Sequence, residues 1–462
     1  MDDAAPVQGC PGCQALLRRV AALEQQVAKL TAALEAALRS GKRQAAPFRK
    51  AGGPKPDPQP PGRKSGEDHG PHAHRLAPPP ESIDETHDVA LPAACPHCGD
   101  ARLTPTQVVV QYQTEIPRRP IQRQFNIQTG QCQGCGKPVQ GRHALQTSNA
   151  AGAAAAQLGP DAHAAMTILN KELGLSHGKV AQVFQQLFGI RLARATSARS
   201  LERTARRCLA TGRQLRAAIR ASPRVVPDET GWRVGGKSAW LHVAVGQQAT
   251  WYEIAPNRSH HPLANVLGRD WAGVLIHDGW APYDQLSQVR HQQCLAHLLR
   301  RCRELLEVAT GAAVRFPRRI KELLQRALAL RDRHSAEELS DHGLAVARGR
   351  LQRQLEDALY PRKTNAANER LAQHLWNHRT DLLTFLHTAG LDATNWRAEQ
   401  ALRPAVVNRK VWGGSRTWRG AWVQGLLMSV LRTCRQQARD TLADLHTLLC
   451  APRALALLNA GR

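Results

Sequence analysis

The sequence predicts a multidomain protein of the α+β class. Three observations lead to this prediction: a heptad pattern near the N-terminus, two Cys-x-x-Cys pairs between residues 95 and 135, and a series of short strand-like segments from Arg224 that gives way to long helical stretches. Strands grouped in one part of a chain and helices in others are typical of α+β folds or of separate domains. At 462 residues, the chain has room for about three domains.

The net charge points to a polyanionic partner. The chain carries 63 Lys and Arg against 37 Asp and Glu, a formal net charge of +26. Nucleic acid is the first candidate for such an imbalance. A membrane surface is the alternative, but the basic residues are spread along the chain rather than along one amphipathic helix. The sequence has no run of 18 apolar residues and no secretory leader, so we expect an intracellular protein without a membrane-spanning segment.

Residues 1–40 have the heptad pattern of a coiled coil. The apolar residues with alternating spacings of four and three are Leu16, Val20, Leu23, Val27, Leu30, Leu34 and Ala37. Because β-branched Val20 and Val27 fall at two a positions, we expect a parallel homodimer or a higher oligomer through this segment. A lone amphipathic helix is the alternative. Residues 41–92 follow as a basic linker with ten prolines between Pro47 and Pro80, too many for a packed core.

Residues 93–145 have the pattern of a structural zinc module. The two knuckles supply four thiolates, from Cys95, Cys98, Cys132 and Cys135. Each knuckle ends in a glycine, Gly99 or Gly136, which lets backbone N–H groups turn towards sulfur. Four thiolates suit tetrahedral Zn²⁺, whereas a catalytic zinc ion needs an open position and a redox pair needs a βαβ setting. Alternating apolar segments between the knuckles predict a β-hairpin arm that contacts DNA.

Residues 155–215 predict a helix-turn-helix-like region. Gly174, Leu175 and Ser176 separate two apolar-periodic segments, with Ser176 as the N-cap of the second helix. The arginines that follow are Arg191, Arg194, Arg199, Arg203, Arg206 and Arg207. They favour DNA binding, because a solvated helix face more often carries acids as well. A short helical bundle without DNA binding has the same pattern.

From Arg224 onward, the pattern predicts a β-β-β-α-β unit in which two strands end in acids. Three short strands separated by turns span residues 224–255, and Asp228 is expected at the end of the first. The fourth strand is a buried apolar run that ends in Asp278. If the first and fourth strands are adjacent and parallel, both aspartates lie at the same edge of the sheet.

A third acid comes from the basic segment of residues 392–421. The segment holds five arginines and one lysine but only two acids, Asp392 and Glu399. Mg²⁺ takes carboxylate and phosphate oxygens as ligands, so a phosphoryl-transfer site needs clustered acids within a basic surface. We therefore expect a helix that ends at Pro404 to bring Glu399 against the sheet edge. The residues expected to hold DNA phosphates are Arg403, Arg409 and Lys410.

Four stretches resemble the catalytic core of a known family. In order they read PDETGWRVGGKSAWLHV, GVLIHDGWAPYDQL, QQCLAHLLRR and ATNWRAEQALRPAVVNRK, and they are similar to the insertion sequence 66 family of bacterial DDE transposases. The coiled coil, the zinc module and the helical region resemble the N-terminal half of that family, so the likeness covers most of residues 10–450. It implies a ribonuclease-H-like core, in which a mixed five-stranded sheet presents two aspartates and a helix presents a glutamate: Asp228, Asp278 and Glu399.

The resemblance also implies how such a protein works. Two Mg²⁺ or Mn²⁺ ions held by the three carboxylates would support cleavage of the element ends and their joining to target DNA. Cys294 and His297 would form a structural pair that braces the active site; a zinc ion on these two residues is the alternative. Small accessory proteins and a cytoplasmic, nucleoid-associated location in a bacterium are further implications.

The interval between Asp278 and Glu399 predicts an all-helical insertion over residues 291–389. It would interrupt a core made of residues 222–290 and 390–425, which C-terminal helices follow in residues 426–462. The insertion holds rival third acids, Glu304, Glu322 and Glu356, each in a mixed-charge stretch typical of a solvated helix face. Two other kinds of protein stay open: a zinc-containing DNA-binding regulator without catalysis, and a structure-selective nuclease of ribonuclease-H-like fold.

Overall fold

The computed structural model describes residues 19–20, 22–27, 30, 77–114, 116, 120–146 and 157–450. The chain divides into two compact units, residues 1–117 and 118–462. Among the described helices, none is both long enough and apolar enough to cross a membrane.

The N-terminal unit contains the predicted coiled-coil segment, of which residues 19–20, 22–27 and 30 are described and helical. The seam residues Val20, Leu23, Val27 and Leu30 are 46%, 53%, 61% and 69% exposed, so the described part of the chain leaves this apolar stripe uncovered. Pairing of two chains through it stays a prediction. The rest of the seam and residues 41–76 of the linker lie outside the described residues.

The region around the cysteine knuckles forms less sheet than its pattern predicted. Residues 101–114 contain no strand, so the predicted β-hairpin arm is wrong for this described stretch. Val108 is 94% exposed, and an isolated apolar strand without a partner or a packed face is not stable in water. In the second unit, strands β1 (Thr129–Gln131) and β2 (Pro138–Gln140) form a short antiparallel hairpin around the second knuckle.

Within the described residues 157–223, four α-helices precede the main sheet: α1 (Pro160–Thr167), α2 (His177–Phe188), α3 (Arg194–Arg207) and α4 (Leu209–Arg220). Helix α1 continues into a π-helical turn, Ile168–Glu172, and Gly174 then reverses the chain with φ of 75°. The Ser176 hydroxyl accepts a hydrogen bond from the Lys179 N–H at 3.3 Å. The predicted helix, turn and N-capped second helix are therefore confirmed as structure.

A mixed five-stranded sheet forms the centre of the second unit. Its strands are β3 (Arg224–Val234), β4 (Lys237–Val245), β5 (Thr250–Ala255), β6 (Val274–His277) and β7 (Arg290–Gln293), in the spatial order β5-β4-β3-β6-β7. Strands β3, β4 and β5 are antiparallel neighbours, and β6 lies parallel between β3 and β7. Helix α5 (His261–Leu267) leads from β5 to β6. This confirms the predicted β-β-β-α-β order and the parallel pairing of its first and fourth strands.

Between the sheet and residue 450, where the described part of the chain ends, there are seven α-helices: α6 (Leu295–Val308), α7 (Arg315–Ser335), α8 (Asp341–Leu359), α9 (Ala366–Asn377), α10 (Trp396–Trp412), α11 (Trp418–Gln436) and α12 (Thr441–Cys450). Two predicted boundaries change. The helical insertion was predicted to begin at residue 291, but residues 290–293 form strand β7 of the sheet. The buried residues of β7, Gln292 and Gln293, are polar, so the strand lacks the apolar run by which buried strands are usually recognised. Helix α11 runs through the boundary predicted at residue 426.

Helices cover both faces of the sheet. Successive residues of a strand point to opposite faces, so neighbouring residues of β3 or of β6 belong to different cores. Val226 and Ile276 belong to a core shared with helices α6 to α10. Val225 and Leu275 belong to a second core, shared with α1 to α5, α11 and α12. The N-terminal helical region thus packs as one layer of the second unit, and the sheet edge lies between the two helical layers.

Candidate active site

Asp228, on β3, and Asp278, just after β6, occupy equivalent positions relative to the register of these two parallel strands. Val225 of β3 pairs with Leu275 of β6, and each aspartate follows three residues later. Asp278 directly follows β6, where Gly279 turns the chain with φ of 87°; a Cβ at that position would collide with the Gln293 amide. The structure therefore brings the two predicted aspartates to the same edge of the sheet.

The position of Asp228 within its strand differs from the prediction. It was expected at a strand end, but β3 continues for six residues beyond it, to Val234. The strand continues because residues 226–234 pair with β4 on one side, while β6 on the other side ends at His277. Asp228 thus occupies the point at which β3 loses one of its two neighbours.

Glu399 reaches this edge from the first turn of α10. The helix packs against β3 through a stripe that includes Ala398, Ala401 and Ala405, whose small side chains permit a close approach. The prediction that Pro404 ends the helix is wrong. Proline removes the hydrogen bond to the Gln400 carbonyl, but Gln400 is exposed to water, so burial of the stripe on both sides of Pro404 outweighs that loss.

The acids influence one another electrostatically. The pKa of Asp228 is raised to about 8, first by burial, then by the charge of Glu229, and further by the charges of Asp278 and Glu399. In the described part of the chain, no group of three or more His, Cys, Asp or Glu side chains converges closely enough to hold a metal ion directly. The three predicted acids therefore share one electrostatic environment without meeting at one point.

Cys294 and His297 connect the start of α6 to the segment before α10. The Asn395 N–H donates to Cys294 Sγ at 3.4 Å, and the Leu295 N–H donates to the Ala393 carbonyl at 2.9 Å. His297 Nε2 lies 3.6 Å from Glu399 Oε1. Burial, followed by the charge of Arg300, lowers the pKa of His297, while Asp278 and Glu399 act in the opposite direction. This geometry suits a pair that positions Glu399.

The predicted phosphate ligands on α10 differ in their surroundings. Arg403 and Lys410 are exposed. Arg409 is half-buried and donates to the Gly231 carbonyl and, at 3.3 Å, to Thr230 Oγ1, so it holds α10 to β3. Part of its donor capacity is therefore used within the protein.

Sequence reasoning missed Glu229, a carboxylate next to Asp228 that points to the other face of β3. Its side chain is 2% exposed. It accepts from the Tyr283 hydroxyl at 2.6 Å and from Arg258 Nε at 2.8 Å. Burial raises the pKa of Glu229, and these two partners oppose the rise. The alternation of residues along β3 could have identified Glu229 from the sequence. Alternation puts Glu229 on the inward face of a buried strand, and a buried acid requires a partner.

The two cysteine knuckles have the same local geometry, each within its own unit. The Gly99 N–H donates to the Cys95 carbonyl at 2.8 Å, and the Gly136 N–H donates to the Cys132 carbonyl at 2.8 Å. Both glycines have positive φ, 76° and 66°. Hydrogen bonds from backbone N–H groups, of His97 in the first knuckle and Cys135 in the second, lower the pKa of Cys95 and Cys132. That the two knuckles share one zinc ion stays a prediction.

Comparison with known proteins places the chain in a family. The family model described as Transposase IS66 family matches residues 156–422, more than half of the chain. The matched region begins just before α1 and ends within α11, so it includes the whole sheet and all three acids. No curated protein matches the chain.

Proposed function

Because the chain belongs to the IS66 family of transposases, we propose that it cleaves the ends of an insertion sequence and joins them to target DNA. The single observation that carries the proposal is the register that sets Asp228 beside Asp278, with Glu399 on a helix packed against the same strand. The strand order β5-β4-β3-β6-β7 with one antiparallel and one parallel half supports a ribonuclease-H-like core.

The chemistry of the three acids fits Mg²⁺ or Mn²⁺. Carboxylate oxygens are the hard ligands that these cations prefer. Burial, followed by the negative charges of neighbouring acids, raises the pKa of Asp228 to about 8, so the group binds a proton near neutral pH unless a cation compensates the charge. Two divalent ions, when bound, activate the attacking oxygen and stabilise the leaving oxygen of a phosphodiester.

The protein's own residues hold and orient the reacting groups. Asp228, Asp278 and Glu399 are the proposed ligands, and His297 orients the Glu399 carboxylate from 3.6 Å. Arg403 and Lys410, on the exposed side of α10, bind backbone phosphates next to the acids. The exposed arginines of α3, a helix of the other layer, are a further proposed contact with DNA. The dimer through the heptad seam, the structural zinc ion and the accessory proteins are part of the same proposal.

The test uses DNA that carries the inverted repeats flanking the gene. Asp228→Asn, Asp278→Asn and Glu399→Gln should each abolish Mg²⁺-dependent end cleavage while DNA binding persists. Glu304→Gln is the matched control, because Glu304 is an exposed acid on α6. Near wild-type cleavage by any of the first three variants would remove that residue from the site.

A second measurement separates a transposase from its alternatives. A substrate that already ends in a free 3′ hydroxyl should be joined to a target strand. Cleavage without joining would indicate a structure-selective nuclease. DNA binding with neither cleavage nor joining would indicate a regulator that keeps the N-terminal half but does not use the acids.

A further inference from the structure

A buried cluster around Glu229 links the two aspartates of the proposed site. Glu229 accepts three hydrogen bonds: one to Oε2 from the Tyr283 hydroxyl at 2.6 Å, and two to Oε1 from Arg258, at 2.8 Å from Nε and 2.5 Å from Nη2. Both oxygens are therefore occupied by protein donors. A carboxylate in that state is not available as a further metal ligand, although it lies next to Asp228 in the chain.

Arg258 connects Glu229 to the loop that follows β6. Its guanidinium lies 4.4 Å from the ring centroid of Trp280 and 5.1 Å from that of Trp240. Trp280 also packs edge-to-face on Tyr283, with ring centroids 5.2 Å apart. The guanidinium is thus held by a carboxylate and two indoles, contacts that restrict a planar cation strongly.

Both aspartates receive backbone hydrogen bonds from this cluster. The Glu229 N–H donates to Asp228 Oδ1 at 2.8 Å. The Trp280 N–H donates to Asp278 Oδ1 at 3.0 Å. A displacement of Glu229 or of Trp280 would therefore rotate one aspartate relative to the other.

We propose that Glu229 is a positioning residue which, through Arg258 and Tyr283, sets the spacing of Asp228 and Asp278 for divalent-cation binding. The inference rests on the proposed function, since it concerns the same cation site. Residues that orient metal ligands typically contribute about 10-fold to 100-fold in metal affinity or activity. Loss of the Glu229 charge should weaken cation binding by that range.

The experiment measures Mn²⁺ binding to the full chain without DNA, by the electron paramagnetic resonance signal of free Mn²⁺. Only binding that Asp228→Asn abolishes is counted. Glu229→Gln should weaken this binding at least about 10-fold, and Tyr283→Phe, which removes one hydrogen bond but leaves the ion pair, should weaken it less. Asp444→Asn is the matched control, because it breaks the ion pair of 2.6 Å between Arg439 and Asp444 of α12, outside the cluster.

The outcomes separate the inference from the proposed function. Glu229→Gln with wild-type Mn²⁺ affinity would overturn the inference alone. A wild-type chain with no Asp228-dependent Mn²⁺ binding would overturn both. If Glu229→Gln does not fold, the Tyr283→Phe variant decides: weaker Mn²⁺ binding at a melting temperature equal to that of Asp444→Asn supports positioning, and unchanged binding refutes it.

Discussion

Lys171 should make the stability of the protein depend on pH. It lies in the π-helical turn after α1, only 5% exposed, and its Nζ donates to Gln424 Oε1 at 2.7 Å. Nζ also lies 4.7 Å from the Trp412 ring centroid. No described carboxylate forms an ion pair with it. Burial lowers the pKa of Lys171 from its usual value of 10.5 to about 7.

The size of the effect follows from proton linkage. Because the pKa is lower in the folded chain, the unfolded chain binds more protons between the two values, and stability rises with pH there. At pH 7 about half of the folded molecules carry the proton, at pH 9 almost none do, and the unfolded chain carries it throughout. Integration from pH 7 to pH 9 gives a gain of about 2 kcal/mol in the free energy of unfolding from this group.

Lys171→Met is the perturbation that tests this reasoning. Methionine keeps the length of the side chain without its charge. The assay is urea unfolding of both proteins at pH 7 and pH 9, followed by tryptophan fluorescence. The wild type should gain about 2 kcal/mol more than the variant between the two pH values. Equal pH dependence in the two proteins would show that Lys171 is not desolvated as the structure indicates.

The remaining predictions concern helix packing and the charge on α10. Gly425→Ala should destabilise the protein in urea unfolding, because a Cβ there would lie 2.9 Å from the Tyr252 carbonyl oxygen. Gly420→Ala on the same helix is the control: a Cβ there would lie 3.5 Å from its nearest contact, so the change should be neutral or stabilising by up to about 1 kcal/mol. Tyr252→Phe should cost about 1 to 3 kcal/mol in the same assay, since its hydroxyl donates to the Ala401 carbonyl at 2.6 Å. DNA affinity should fall with salt, and Lys410→Ala should reduce the log–log slope by about one; an unchanged slope would exclude Lys410 as a phosphate ligand.

Expectations that depend on a few neighbouring residues agree with the structure. Ser176 caps α2, and the apolar run before Asp278 is a buried strand. In each case the residue types of a short segment are enough to predict its backbone conformation. The errors arose where distant residues decide: Pro404 stays inside α10 because of the strand beneath the helix, and β7 is a strand because β6 offers it an edge.

The sequence by itself determined the kinds of residue at the proposed site, the β-β-β-α-β order and the positive charge around them. These follow from composition and from patterns within about ten residues. Only the tertiary structure decided that Val225 pairs with Leu275, which sets Asp228 beside Asp278, and that Glu229 turns away from them towards Arg258. The physical reason is that register and burial depend on contacts between segments far apart in the chain, and no local pattern records which partner satisfies a buried charge.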